Sequence, residues 1–434
     1  MSNAKTQSEK PLVGFFPLFY NLAETGRAIL VARRYEELGG KAIFFSHGGK
    51  YEYLAENQGF TIIRVKPFYT EELIDEIVKI NRGEKRGISY KESFLRESVK
   101  EEVAAYKKSG VKMIVSFVNV SCSLSAHASG IPLVCVSPAP GWFHLSIPDN
   151  IENLLTLLVP QWIKLRFGNW FLLRGKKSLK PFNVIAKEYH LKPFSSSMEI
   201  FYGDVTLVTN FLEFINVFPN QQIFPTKDYV GIISLEELFV NQFSDVEKQK
   251  IESKISNHLK KNEKSILLTM GSSGDKKLFG NILRALSKTN YTVIAVNANI
   301  LKNHEIPSLP DNILLLDFAP SIVKLHKEVD LSIIHGGQGT VYTAAYSGKP
   351  IIGFPMQFEQ HLNLEKMVGH KVGIMQSKKY YKEKNLLNAI EKIFDNYDIY
   401  YKNAQNLVKK LPKPEGDKNA ARRIVEILQQ NQQL

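Results

Sequence analysis

His335-Gly-Gly-Gln-Gly-Thr340 is the stretch of this chain best suited to chemistry on an anion. It lies between the apolar run Leu331 to Ile334, which reads as a short strand, and Thr340 to Tyr346, which has the composition of a helix start. A strand, a tight turn and a helix N-terminus leave backbone N–H groups unpaired, with the positive end of the helix dipole behind them. Such a junction favours a phosphate or diphosphate. Gly336, Gly337 and Gly339 let the backbone approach a ligand, His335 adds a side-chain donor and Thr340 a hydroxyl. A second strand-like run, Ile351 to Phe354, stops at Pro355, and Glu359, Gln360 and Asn363 follow at the edge where open α/β sheets bind ligands. For His-Gly-Gly alone the simpler reading is a turn that only packs a helix on a sheet, because short motifs misfire often.

The full combination is more specific. His-Gly-Gly-x-Gly-Thr, the Gly-x-Pro at Gly348 to Pro350, Pro355, the Glu-Gln pair and Asn363 resemble the donor-binding signature of the UDP-glycosyltransferase superfamily. That resemblance implies an α/β protein of the GT-B fold, two Rossmann-like domains facing a central cleft. It also implies an inverting transferase whose co-substrate is a nucleotide diphosphate sugar, with no other cofactor. A UDP-sugar is favoured, and a dTDP-sugar is the alternative. Leu267 to Gly274 is similar to the family's phosphate-side loop, which assigns Gly271, Ser272 and Ser273 to the diphosphate along with His335, Gly336, Gly337, Gln338, Gly339 and Thr340. Phe318-Ala-Pro320 matches the segment that holds the base, but Ser321 stands where many members have Gln. Thr343 stands where plant members have a ribose-binding Glu. By the same resemblance Glu359 and Gln360 bind sugar hydroxyls. No Asp-x-Asp occurs, so a metal-free site is expected.

On the catalytic side the chain departs from the family pattern. Common members carry a His after the first strand as the base that deprotonates the acceptor, and an Asp that orients it. Alignment puts Glu24 and Ser116 at these positions, so both members of that dyad are missing. A carboxylate in an apolar setting can do the work of a base, since efficiency improves as its pKa approaches the working pH. The sterol glucosyltransferase branch resembles this arrangement, and Glu24 is the candidate base. The competing readings are that Glu24 only caps the helix opening near Thr25, or that Asn21, His47 or His127 takes the role.

Trp142 and Phe143 are candidate acceptor contacts. Ile151 to Phe182 mixes Leu, Trp and Phe with Lys and Arg, which suits a membrane interface, an acceptor-pocket lid or plain packing on the first domain. A hydrophobic or lipid-linked acceptor is the expectation, with peripheral contact to an anionic membrane. Release from anionic liposomes at high salt is the behaviour such contact requires.

These residues need a scaffold, and the periodicity supplies one. Strand-like runs fall at Val13 to Phe16, Lys41 to Phe45, Thr61 to Val65, Met113 to Phe117 and Pro132 to Val136, with helices such as Gly26 to Leu38 and Lys91 to Lys108 between them. The alternation restarts with runs at Ser265 to Thr269, Thr292 to Val296, Ile313 to Leu316, Leu331 to Ile334 and Ile351 to Phe354. Such alternation argues two parallel sheets with crossover helices. The expected division is a disordered tail over 1–10, an acceptor domain over 11–225 and a linker over 226–244. A donor domain over 245–415 follows, and 416–434 reads as a helix, which by the resemblance crosses back to the first domain.

The remaining bounds agree with a globular enzyme. A length of 434 residues allows two cores. Cys122 and Cys135 sit in apolar surroundings, which favours buried thiols in a reducing compartment over a disulfide framework. With no leader-like segment and no apolar run of membrane-spanning length, a cytoplasmic location is expected. The net charge of +13 asks for an acidic partner such as a nucleotide or an anionic membrane, and no nucleic-acid motif is present. A non-catalytic nucleotide-binding or partner protein of the same fold and a nucleotide-sugar epimerase are the alternatives. A dehydrogenase fits poorly, because no Gly-x-Gly-x-x-Gly follows the first strand.

Overall fold

Alternate residues of the first strand point into two different apolar layers, which fixes how the first domain is built. In β1 (Leu12–Pro17), Val13 and Phe15 pack with Ala28 to Ala32 of the helix Leu22–Glu37, while Phe16 packs with Phe45, Tyr106 and Cys122 on the other face. A strand buried on both faces belongs to the middle of a helix-covered parallel sheet. The computed structural model describes residues 11–81, 85, 90–138, 160, 163, 179–216, 222–239, 244–260, 264–271, 274–296 and 309–432.

β1, β2 (Lys41–Ser46), β3 (Ile62–Arg64), β4 (Met113–Phe117), β5 (Leu133–Ser137) and β6 (Val205–Val208) form one sheet in the order β3-β2-β1-β4-β5-β6. Every pairing is parallel. Phe15 meets Tyr35, Phe44 and Phe117 at ring separations of 6.2, 5.7 and 6.4 Å. Each such side chain contributes about 1.5–3 kcal/mol by leaving water.

The second sheet repeats the plan. β7 (Ser265–Thr269), β8 (Thr292–Val296), β9 (Ile313–Leu316), β10 (Leu331–Ile334), β11 (Ile351–Gly353) and β12 (Gly373–Met375) lie in the order β12-β11-β10-β7-β8-β9, again all parallel. β6 and β12 are the two strands absent from the sequence expectation. At four and three residues they are too short to show a period, and partners on the sheet edge define them.

The chain crosses between the two sheets at tightly packed points. After β6, Phe211 and Phe214 pack with Tyr342, Leu364 and Met367 of the second half. Further on, Val230 and Ile233 enter the first core, while Ile232 joins the second. Ile233 pairs antiparallel with Glu415, and the Gly416 N–H donates to Ile232 O at 2.9 Å, so the two crossing segments hold each other. A Cβ on Gly416 would lie 2.2 Å from Gly231 O, which explains glycine there. The helix Gly416–Gln432 then places Ala420, Ala421, Ile424, Ile427 and Leu428 in the first core.

Candidate active site

In both sheets the strand order reverses direction at the centre, between β1 and β4 and between β7 and β10. Ligands of open α/β sheets bind in the crevice at such a switch point, outside the carboxyl ends of the strands. Four strand-to-helix junctions reach those ends, and they carry Glu24 in the helix after β1, Asn119 after β4, Gly271 after β7 and His335 after β10.

His335 is buried, and burial lowers its pKa to about 4. At neutral pH the imidazole is therefore uncharged, with one N–H to give, and its Nδ1 has no hydrogen-bond partner. Two glycines enclose the ring. A Cβ on Gly271 would lie 2.5 Å from Cε1, and a Cβ on Gly337 would lie 2.5 Å from Nε2. A push from either side meets the other, so both positions require glycine for the sake of His335.

The remaining glycines have different reasons. Gly336 sits at φ +91°, and its Cβ would meet Gln360 O at 2.7 Å, so this residue admits the neighbouring helix Phe358–Gly369. Of the three glycines in this turn, only Gly339 borders open space. The expectation that all three keep the backbone clear for a ligand thus narrows to Gly339, because packing explains the other two.

The helix behind the turn begins at Gln338 and runs to Ser347, two residues earlier than its composition suggests, which puts Gly339 and Thr340 inside its first turn. Gln338 itself turns toward the first domain. Its Oε1 accepts from Arg27 Nη1 at 2.9 Å and from Thr209 Oγ1 at 3.3 Å, and its Nε2 donates to Thr209 O at 2.6 Å. The Gln338 side chain, expected at the donor, is instead a bridge between the domains.

Glu359 and Gln360 are also held by their surroundings. Asn363 Nδ2 donates to Glu359 Oε1 at 3.0 Å and to Gly336 O at 3.1 Å, which ties the Glu-Gln helix to the glycine turn. Burial raises the Glu359 carboxyl above its usual range, and the nearby Arg27 charge opposes that rise. Gln360 Oε1 accepts from the Met356 N–H at 2.8 Å and shapes the loop after β11. Phe318 is 50% exposed beyond the end of β9. Ser321 accepts from the Lys324 N–H at 3.1 Å as the cap of the helix Ile322–Glu328 and donates to Glu236 at 2.6 Å. Its hydroxyl is thus engaged with the helix start and the linker. Ser272, Ser273, Trp142 and Phe143 lie outside the described residues, as does the segment 151–182 apart from 160, 163 and 179–182.

Across the cleft, Asn21 caps the helix Leu22–Glu37, its Oδ1 accepting from the N–H groups of Ala23 and Glu24 at 3.0 and 3.4 Å. Glu24 is therefore not the cap, and Asn21 is not a base. The Glu24 side chain is buried, its Oε1 pairs with Arg27 Nη2, and its Oε2 has no partner. His47 Nδ1 faces Val65 O at 3.0 Å and its Nε2 faces Glu102 Oε1 at 2.7 Å, deep in the domain, so neither nitrogen is open to an acceptor. His127 pairs with Asp204 at 3.2 Å beside the first residue of β5, at the amino end of the sheet and away from the cleft. Ser116 donates to Asn119 O at 3.0 Å across a turn in which Val118 has φ +62°, an unusual backbone for a β-branched residue.

Sequence reasoning missed Arg27, Thr209 and the Tyr20–Tyr69 pair. The rings of that pair meet edge to face at 5.1 Å, and burial, followed by the Tyr90 and Glu24 neighbours, pushes the Tyr20 phenol well up. Arg27 was legible as an i, i+3 partner of Glu24. Thr209 follows the unexpected β6, so nothing in the sequence placed it near Gln338.

Residues 246–424 match the Glycosyltransferase family 28 C-terminal domain. A PGL/p-HBAD biosynthesis glycosyltransferase of Mycobacterium tuberculosis is 34% identical over 110 residues, 25% of either chain. A PGL/p-HBAD biosynthesis rhamnosyltransferase of Mycobacterium bovis is 23% identical over 317 residues, 71% of this chain and 66% of that one. The chain thus spans about a quarter of the first of these relatives. The solved structure of spinosyn forosaminyltransferase SpnP superimposes with a TM-score of 0.63 at 15% identity, covering 96% of this chain and 99% of that one.

Proposed function

The chain belongs to the UDP-glycosyltransferase superfamily and has its GT-B fold, and on that premise we propose an inverting glycosyltransferase that moves a sugar from a nucleotide diphosphate to a hydroxyl of a hydrophobic acceptor. The observation that carries this reading is the pairing across the cleft. On one side a buried, neutral His335 stands between Gly271 and Gly337 at a helix N-terminus, and on the other Glu24 keeps one buried oxygen without a partner.

The diphosphate lies at the turn of His335 to Thr340 and the loop at Gly271, while Glu359 and Gln360 face the sugar hydroxyls. Glu24 Oε2 takes the acceptor proton as the acceptor oxygen bonds to the anomeric carbon. The bond from that carbon to the diphosphate breaks, and the electron pair leaves with the phosphate. Backbone N–H groups and the helix dipole stabilise the departing charge at no reorganisation cost. Attack opposite the leaving group inverts the anomeric centre. Tyr20 and Tyr69, with Phe94 at 5.4 Å from Tyr69, support an apolar, ring-lined approach for the acceptor beside Glu24. A UDP-sugar is the favoured donor and a dTDP-sugar the alternative. Among the described residues no group of three or more His, Cys, Asp or Glu gathers as metal ligands would. No described helix is long and apolar enough to cross a membrane.

The test is a product assay with UDP- and dTDP-hexoses and a panel of phenolic, sterol and long-chain alcohol acceptors. The expected result is a glycoside whose anomeric configuration is opposite to that of the donor. A glycoside with retained configuration would refute the inverting step. Nucleotide binding without consumption of any donor would favour a binding protein.

A further inference from the structure

The buried charge at the domain boundary belongs to more than one element. Arg27 lies one turn beyond Glu24 on the first helix and is buried. Its Nη2 holds Glu24 Oε1, and its Nη1 donates at 2.9 Å to Gln338 Oε1. Gln338 is the first residue of the helix whose N-terminus faces the diphosphate, and both ends of its amide are also bound to Thr209. A planar guanidinium can grip two acceptors at fixed angles, which an ammonium cannot do. Glu24 and the donor helix are therefore joined through two hydrogen-bonded side chains, although they belong to different domains.

The surrounding charges make this junction demanding. Glu359 lies in the field of both Arg27 and Glu24, while Glu24 is paired with Arg27 directly. Arg27 Nε and Glu24 Oε2 are buried without partners, an arrangement that costs stability and so calls for a functional reason. A purely structural ion pair would satisfy its acceptor fully, whereas here one carboxylate oxygen is fixed by Arg27 and the other is buried without a partner.

We infer that Arg27 is the positioning residue of the transfer reaction, holding the unpaired oxygen of Glu24 in register with the donor by tying it to the first residue of the diphosphate helix. This rests on the glycosyltransferase reading given above. The role is positional, since the guanidinium is engaged with Glu24 and Gln338 and takes no part in the proton or sugar transfer. A misplacement of the base of about 1 Å is enough to cost two orders of magnitude in rate.

Two measurements on the full chain test the inference. In steady-state kinetics, Arg27→Met should lower kcat about 100-fold while KM for the donor sugar and calorimetric affinity for its nucleoside diphosphate stay within about threefold. Arg27→Lys should recover no more than about a tenth of the lost rate, because the charge returns without the two-pronged grip. A kcat within threefold of wild type, or a donor affinity that falls in step with kcat, would overturn the inference. The second measurement needs no activity. Melting temperatures of Glu24→Gln, Gln338→Leu and the double variant should be non-additive when Arg27 is present and additive in an Arg27→Met background. Additivity in both backgrounds overturns the inference even if transfer is observed. Non-additivity lost with Arg27 supports it even if no donor is turned over, which would count against the catalytic reading alone.

Discussion

Glu24→Gln is expected to lower kcat for sugar transfer about 10³-fold, in the range set by loss of a positioned general base. The substitution keeps the shape of the side chain and an oxygen for Arg27, so the ion-pair geometry is disturbed little. What it removes is the proton-accepting capacity of the second oxygen, which is buried and unpartnered. Because the base acts only as the acceptor oxygen attacks, KM for the donor and nucleotide affinity should remain within about threefold. Initial rates at saturating donor, with calorimetric titration of the nucleotide in parallel, check both halves. A Glu24→Gln enzyme with full turnover would remove Glu24 from the mechanism. Reduced turnover accompanied by lost nucleotide binding would mean that the residue holds the cleft together instead.

Asp228→Ala should cause the largest loss of stability. Arg423, on the last helix, donates through Nε to Asp228 Oδ1 at 2.9 Å, and both side chains are about 7% exposed. Removing the carboxylate leaves the buried guanidinium with Glu426, 57% exposed at 2.9 Å, as its acidic neighbour among the described residues. Breaking a buried pair in this way costs about 3–5 kcal/mol, most of it the penalty of the uncompensated charge. The helix is docked by Ala420, Ala421, Ile424, Ile427 and Leu428, so its loosening exposes the first core. In thermal unfolding followed by circular dichroism, Asp228→Ala should melt several degrees below wild type. The double variant Asp228→Ala/Arg423→Met should recover part of that loss, because the stranded charge is gone. Equal melting of the single variant and wild type would show that water reaches this pair.

Much of the fold was legible because buried parallel strands are apolar throughout and separated by amphipathic helices. β4 and β10 matched their apolar runs residue for residue. β6 and β12 were hidden by their length, and edge pairing decides such strands. The first helix begins at Leu22, before the apolar pattern at Gly26, because the Asn21 side chain nucleates it. On the donor side the strand, turn and helix could be read from His335 to Ser347. The separate duties of Gly336 and Gly337 could not, because they depend on Gln360 and on the His335 ring, contacts that spacing does not encode. Gln338 is the clearest case. A residue within a ligand-binding motif presents its side chain to another domain, and only the fold brings Arg27 and Thr209, over a hundred residues away, to meet it.

The turn from β10 into its helix is expected to bind a nucleoside diphosphate through His335. Calorimetric titration with UDP, dTDP, GDP and ADP, repeated with His335→Ala, measures that binding. Saturable binding of UDP or dTDP by the wild-type chain is expected, with a loss of about 10- to 100-fold in His335→Ala, the effect of one hydrogen bond to a charged group. Bound nucleotide should also raise the melting temperature of the wild type more than that of the variant. Equal affinity in the two proteins, or no binding of any of the four nucleotides, would contradict it.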